Sequence, residues 1–140
     1  MKQENKDLLL HDLCARLPYG VKLWHESYVD LITLHSIDAT HCGVEISIDS
    51  SDSGTPWWNN IEQVKPYLFP LSSMTEEQKY ICPIGVGNLE TFIEKESWAY
   101  LELSFDSILR FIDWINKNHF DYRGLIPKGL AIDCTNLNIY

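Results

Sequence analysis

The chain has 140 residues, 45% of them hydrophobic and 12% aromatic, which is enough to bury a core without a disulfide or a structural metal. Its 20 acidic and 11 basic side chains give a formal charge of −9. That charge repels phosphate backbones and argues against direct nucleic-acid binding, whereas it permits attraction to a basic protein surface.

The N-terminal residues, MKQENKD, lack the apolar run of a secretory signal, and no stretch approaches the length of an apolar membrane span. We therefore expect a cytoplasmic protein that makes no membrane contact. In a reducing cytosol the cysteines, which form no C-x-x-C pair, are expected to be small buried hydrophobes. They are Cys14, Cys42, Cys82 and Cys134.

An amphipathic helix is predicted over residues 5–17, and Pro18 and Gly20 end it. Asp12 and Arg16 lie on its polar face. The apolar face carries residues at helical spacing, namely Leu10, Leu13, Cys14 and Leu17.

Alternating apolar and polar residues predict a half-buried strand over residues 42–48. Residues 21–24 and 28–34 are its predicted partners in an antiparallel meander. Residues 49–60, rich in Ser, Asp, Gly and Pro, are predicted to be a loop that ends on Trp57 and Trp58.

Short helical segments are predicted in the middle of the chain. Residues 61–67 are expected to form one or two helical turns before Pro70. Two overlapping capping boxes, over residues 73–76 and 75–78, predict a further short helix that Pro83 ends.

A second strand is predicted over residues 98–105, with Trp98 and Tyr100 on its outer face. A helix follows, with Asp106 as its cap. Its apolar face is formed by Ile108, Phe111, Ile112 and Ile115, and its charged face by Arg110, Asp113 and Lys117. Residues 130–134 alternate as a closing strand.

These elements predict an α+β fold, with residues 1–140 forming a single globular domain. A mainly antiparallel sheet is expected from the 21–48 region and from the strands at 98–105 and 130–134. The N-terminal helix and the helix in the C-terminal half are expected to flank this sheet.

Two blocks, KPYLFPLSSMTEEQ at residues 65–78 and DWINKNHFDYRGLIPKGLA at residues 113–131, resemble those of a family of small uncharacterised proteins from phages, prophages and mobile elements of gut anaerobes. The segment DLLLHDLCARLPYGVK at residues 7–22 is also similar to that family. Residues 23–59 and 80–106 depart from its pattern. The family has no assigned activity, so the resemblance implies a genomic setting and no mechanism.

A polar cluster after the last long helix is the densest group of candidate site residues. Asp121 could orient His119 as a general base, with Tyr122 beside them and Arg123 holding an anionic group. The competing interpretation is structural, because a histidine suits a helix C-terminus, and Gly124 suits a left-handed turn.

Aromatic residues provide the candidate partner-binding surface. Trp57 and Trp58 follow a Gly-Thr-Pro turn, and with Trp98 and Tyr100 they could form a continuous aromatic patch that anchors a protein partner. The alternative is that the rings fold back over the core.

Other chemistry has little support in the sequence. Gly85 and Gly87 lack the third glycine of a dinucleotide loop, which Glu90 replaces. No ligand spacing predicts a metal site, although His11 lies one helical turn from Cys14 and His41 adjoins Cys42. No nucleophile motif is present, and no cofactor is expected.

The favoured hypothesis is a small intracellular accessory protein of phage or mobile-element origin that acts by binding a protein partner and is not an enzyme. The alternative is a small enzyme or ligand-binding protein that uses the cluster from His119 to Arg123. A third hypothesis is that aligned surface carboxylates mimic nucleic acid and block a basic factor.

Overall fold

The computed structural model describes residues 1–38, 43–48 and 57–140; for residues 43–48 and Trp57 it describes the backbone alone. The helices are α1 (Gln3–Arg16), α2 (Glu76–Ile81), α3 (Val86–Lys95) and α4 (Phe105–Lys117). The strands are β1 (Lys22–His25), β2 (Ile32–Asp38), β3 (Gly43–Ile48), β4 (Trp57–Asn60), β5 (Val64–Pro70), β6 (Phe120–Asp121) and β7 (Ile132–Asp133).

The strands form one mixed sheet in the order β4-β3-β2-β1-β5-β6, with β7 also pairing with β5. The pairs from β4 to β5 are antiparallel, whereas β6 and β7 pair with β5 in parallel. β1 to β3 form the predicted meander. β4 extends it beyond the prediction, and β5 returns to pair with β1. The fold is therefore α+β with a mainly antiparallel sheet, as predicted.

The first core lies between α1 and one face of the sheet. Along β1, Leu23 and His25 are buried while Trp24 is exposed, as expected when successive side chains alternate between faces. Its buried apolar residues are Leu9, Leu13, Val21, Leu23, Ile32, Leu34, Ile61, Val64, Leu68, Leu125, Leu130 and Ala131.

The second core lies between α3 and α4, beside the end of β5 and the residues that flank α2. The capping box of Thr75 and Gln78 is present at the start of α2, as predicted. The buried apolar residues of this core are Met74, Cys82, Ile84, Leu89, Phe92, Phe111, Ile115 and Phe120.

A row of aromatic rings passes through the second core and reaches the edge of the sheet. Neighbouring ring centroids are 3.9 to 6.3 Å apart, a range in which offset and edge-to-face contacts are favourable. In order, the rings belong to Phe92, Trp98, Phe111, Trp114, Phe120, Phe69, Tyr140 and His119.

The prediction of a strand over residues 98–105 is wrong. Trp98–Tyr100 form a 3₁₀ turn, because the Ser97 hydroxyl accepts a hydrogen bond from the Ala99 N–H and begins it. α4 then begins at Phe105. Its cap is Ser104, whose hydroxyl accepts from the Ser107 N–H, and the predicted cap, Asp106, lies inside the first turn.

Two other segments also differ from the prediction. Residues 61–67 form only a 3₁₀ turn before β5 begins at Val64, because the side chains at 64, 66 and 68 alternate into the core. The predicted loop over 49–60 ends earlier, since Trp57–Asn60 pair with β3 as β4. Residues 49–56 of that loop, and His41 and Cys42, lie outside the described residues. Among the described helices, none is long and apolar enough to cross a membrane.

Candidate functional site

A buried ion pair on α1 supports the polar cluster. Arg16 donates to both carboxylate oxygens of Asp12, at 2.8 and 3.1 Å, and to the Phe120 carbonyl at 2.8 Å. Both side chains are fully buried, so the prediction that they form the polar face of the helix is wrong. Arg16 points inward to the carbonyl of Phe120, and a buried guanidinium needs such partners.

The Asp121 carboxylate accepts hydrogen bonds from the backbone. One carboxylate oxygen accepts from the Leu125 N–H at 2.9 Å and the other from the Ile126 N–H at 2.8 Å. These bonds fold the loop after β6, in which Gly124 adopts the left-handed conformation at φ 69°, as the structural interpretation predicted. Among the described residues, no hydrogen bond joins the Asp121 carboxylate to the His119 Nδ1, so Asp121 does not orient His119 through that nitrogen.

His119 is buried and packs away from its predicted partners. Its ring stacks on Tyr140 with centroids 3.9 Å apart and planes 10° from parallel. Burial, aided by the positive charges of Arg16 and Lys22, lowers the pKa of His119 from 6.5 to about 4, so the ring is neutral at pH 7. Among the described residues, its Nδ1 has no hydrogen-bond partner.

Tyr122 and Arg123 form the exposed end of the cluster. The Arg123 Nε donates to the Tyr122 hydroxyl at 3.1 Å and lies 3.5 Å from a carboxylate oxygen of Asp12. Its guanidinium carbon sits 4.9 Å from the centre of the Tyr122 ring, a cation–π distance. Arg123 is thus held in place while remaining half-exposed.

A cavity of about 440 Å³ opens beside Arg123, between the end of β5, the last turns of α3 and the loop after β6. Asp121, Tyr122 and Arg123 line it, and the cluster therefore meets a concave surface, but His119 is not part of that lining. The geometry separates the predicted base from the predicted anion-holding arginine. Such an arrangement can hold a ligand but does not assemble the predicted acid–base pair.

The predicted aromatic patch is divided between the two halves of the fold. Trp58 is 59% exposed on β4, at the edge of the sheet, and Tyr100 is 65% exposed beside α4. Trp98 instead packs against Phe92 and Phe111 in the second core, with ring centroids 4.6 and 5.5 Å away. The prediction that Trp98 lies on the outer face of a strand is therefore wrong. The side chain of Trp57 lies outside the description.

A second apolar face on α4 was missed from the sequence. Phe105 is 75% exposed and Leu109 is 50% exposed, while Ile108 and Ile112 are half-buried. Positions 105, 108, 109 and 112 are separated by three or four residues and so form one continuous surface of the helix. The signal was present, because the apolar positions of this helix cover more of its circumference than a single core can use.

The remaining candidates have structural explanations. Gly85 adopts φ 75° as the residue before α3, which follows a turn and not a strand, so the dinucleotide-loop geometry is missing here. In the described part of the chain, no three metal-ligating side chains come together.

The cysteine prediction is confirmed in part. Cys82 and Cys134 are buried, as predicted, whereas Cys14 is exposed, which contradicts the prediction for it. Burial raises the pKa of the Cys134 thiol to about 11 and also raises that of Cys82, so neither is a ready nucleophile.

Comparison with known proteins gives no family assignment, since no protein-family model, curated protein or solved structure matches this chain.

Proposed function

We propose that this chain is a small cytoplasmic accessory protein of phage or mobile-element origin that acts by binding a protein partner. The resemblance at residues 65–78 and 113–131 supports the genomic setting. The observation that carries the binding proposal is the second apolar face of α4, formed by Phe105, Ile108, Leu109 and Ile112.

The width of the apolar surface on α4 is the first argument. Successive helical residues are about 100° apart, so the apolar positions from Trp114 through Phe111 to Leu109 span about 220°. A helix that packs on one core needs a sector of only about 100°. Phe111 and Ile115, with the partly buried Trp114, occupy the core side. The remaining sector faces outward, where an apolar surface is favourable only when a partner covers it.

The size of the exposed side chains is the second argument. Phe105 is 75% exposed and Leu109 is 50% exposed. Since full burial of such a side chain contributes about 1.5–3 kcal/mol, covering Phe105 would contribute most of that amount and covering Leu109 about half of it. Tyr100 adds an exposed aromatic ring at the start of the segment that leads into α4. Aromatic residues in such positions often dominate the energy of an interface.

Charge defines the class of partner. Two exposed acidic residues, Glu102 and Asp113, lie just before and along α4, where Arg110 and Asp106 neutralise one another at 2.9 Å. Lys117 adds one positive charge at the end of the helix. The whole chain carries −9. The partner that fits best is therefore an amphipathic helix of a basic protein, with its apolar side on Leu109 and its basic flank towards the carboxylates.

The test compares proteins captured from a lysate of the host bacterium by three forms of this chain. We expect the wild-type chain and Tyr80→Glu to retain the same basic protein. The double variant Phe105→Glu/Leu109→Glu is expected to lose at least 90% of it, because two carboxylates are then buried against an apolar surface. Tyr80 is the matched control, since it is 82% exposed on α2.

Two outcomes contradict the proposal. One is equal retention by all three forms, which moves the contact away from α4. The other is that the wild-type chain self-associates in sedimentation experiments and the double variant does not. The partner of α4 would then be a second copy of this chain. Circular dichroism of each variant checks that the fold is intact.

The alternative function, a small-ligand-binding protein, is favoured by a different observation, the cavity beside Arg123. The catalytic form of that alternative receives less support, because the carboxylate oxygens of Asp121 are taken by backbone N–H groups.

A further inference from the structure

We propose that the cavity beside Arg123 binds a small molecule with an apolar body and a single negative charge, such as a carboxylate. The proposal does not depend on partner binding by α4. It rests on the composition of the cavity wall and on two cations at its mouth.

The wall of the cavity is mainly apolar and comes from three separate elements. Leu71 follows β5, Phe92 and Ile93 come from the end of α3, and Ile126 comes from the loop after β6. These residues come from different sides of the cavity, which is present in the structure without a ligand. Its volume of about 440 Å³ suits a molecule the size of one or two aromatic rings.

The first cation is Arg123, which is oriented in advance. Its Nε is engaged with Tyr122 and Asp12, and its guanidinium carbon lies 4.9 Å from the centre of the Tyr122 ring. A guanidinium held in this way has terminal nitrogens that can donate to a carboxylate, and less rotamer freedom is lost when it binds.

The second cation is Lys128, an exposed residue in the cavity lining. Within the described ranges it makes no ion pair, so its charge is available to a ligand. Asp121 also lines the cavity, and its two carboxylate oxygens accept from the Leu125 and Ile126 N–H groups. Glu96, which also lines the cavity, opposes the two cations and therefore disfavours a ligand that carries two negative charges.

The experiment uses the dye 1-anilinonaphthalene-8-sulfonate, which has an aromatic body and one anionic group, and its uncharged analogue N-phenyl-1-naphthylamine. Fluorescence titration of the whole chain is expected to give saturable binding of both. Lys128→Gln and Arg123→Gln are each expected to weaken the sulfonate about tenfold and to leave the neutral dye unchanged, since one charge-assisted contact is lost. Lys117→Gln, which removes an exposed cation from α4, is the matched control and should bind both dyes as the wild type does.

The outcomes separate the two proposals. Equal sulfonate binding by wild type, Lys128→Gln and Arg123→Gln overturns this inference. Loss of dye binding in Phe105→Glu/Leu109→Glu also overturns it, because the dye then sits on α4. Lys128→Gln is expected to leave partner capture unchanged, so failure of either proposal leaves the other standing. Lys128 is exposed, and its replacement tests the site even if Arg123→Gln proves unstable.

Discussion

Polar residues with catalytic potential can serve the stability of the fold alone, as Asp12, Arg16 and Asp121 show. Asp12 and Arg16 pair with one another, Arg16 also donates to the Phe120 carbonyl, and Asp121 closes a loop. A buried charge costs several kcal/mol unless it is paired, so these contacts are needed for stability before any chemistry is considered. Arg123, Lys128 and Glu96 keep their charges near solvent at the cavity.

His119 makes stability depend on pH. Its pKa falls from 6.5 in the unfolded chain to about 4 in the fold, so its contribution is present above pH 6.5 and is lost as the pH falls through 4. The loss amounts to about 3 kcal/mol at most. We expect the melting temperature of His119→Asn to fall less steeply than that of the wild type between these pH values, because asparagine does not titrate. Asparagine is the replacement because it tolerates the left-handed conformation that His119 adopts at φ 58°.

Melting curves followed by circular dichroism from pH 7 to pH 4 test this prediction. His11→Gln, at an exposed position on α1, should retain the wild-type dependence. Parallel profiles for the wild type and His119→Asn would show that the buried imidazole does not contribute to acid sensitivity.

At the scale of elements, the start of α4 gives a direct test of helix capping. Ser104→Ala removes the hydroxyl that accepts from the Ser107 N–H and should lower the free energy of unfolding by about 1 kcal/mol. Asp106→Ala should cost about half as much or less, because that residue contributes only an exposed ion pair with Arg110 and a favourable charge in the first turn. Urea denaturation measures the free energy of unfolding of both variants. A larger loss in Asp106→Ala than in Ser104→Ala would show that Asp106 is the cap.

The elements that the sequence predicted correctly are those whose pattern one local rule determines. The alternation in residues 21–48 predicted the meander, and Thr75 with Gln78 predicted α2. The same rule failed at residues 98–105: Leu101 and Leu103 do pack on the second core, yet that segment pairs with no strand among the described residues. Alternation reports which side chains face inward and does not report whether a neighbouring backbone is available for pairing.

The candidate site was predictable only in part, for a related reason. The cluster from Asp121 to Arg123 was found from its residue types and does line the cavity. The inward turn of Arg16 was not predictable, because its acceptor is the Phe120 carbonyl, 104 residues further along the chain. The sequence of α4 shows more apolar positions than one core needs. The helix pattern alone did not show which of these positions would face the core and which would face outward.

For the whole molecule, β5 and Arg16 connect the two cores. Leu68 of β5 lies in the first core and Phe69 packs on the second, while Arg16 extends from α1 to the carbonyl of Phe120. We therefore expect both cores to unfold in one transition, with tryptophan fluorescence and far-ultraviolet circular dichroism giving the same midpoint.

Phe111→Ala extends this test of cooperativity. Removing a fully buried ring from the second core should cost about 3–5 kcal/mol and should shift both signals together. Separate midpoints, with the fluorescence of Trp98 and Trp114 changing first, would show that the helical half melts on its own.

The row of rings from Phe92 to His119 also makes the protein a sensitive optical reporter. Indoles, phenyl rings and a phenol held at fixed angles in an asymmetric setting couple their electronic transitions and produce a strong near-ultraviolet dichroic signal. The interplanar angles along this row range from 10° to 72°, so a rotation of any ring would alter the spectrum. Occupancy of the adjoining cavity, whose wall includes Phe92, should therefore be detectable without a label, as a change in ellipticity between 270 and 300 nm, which is roughly where indole and phenol absorb.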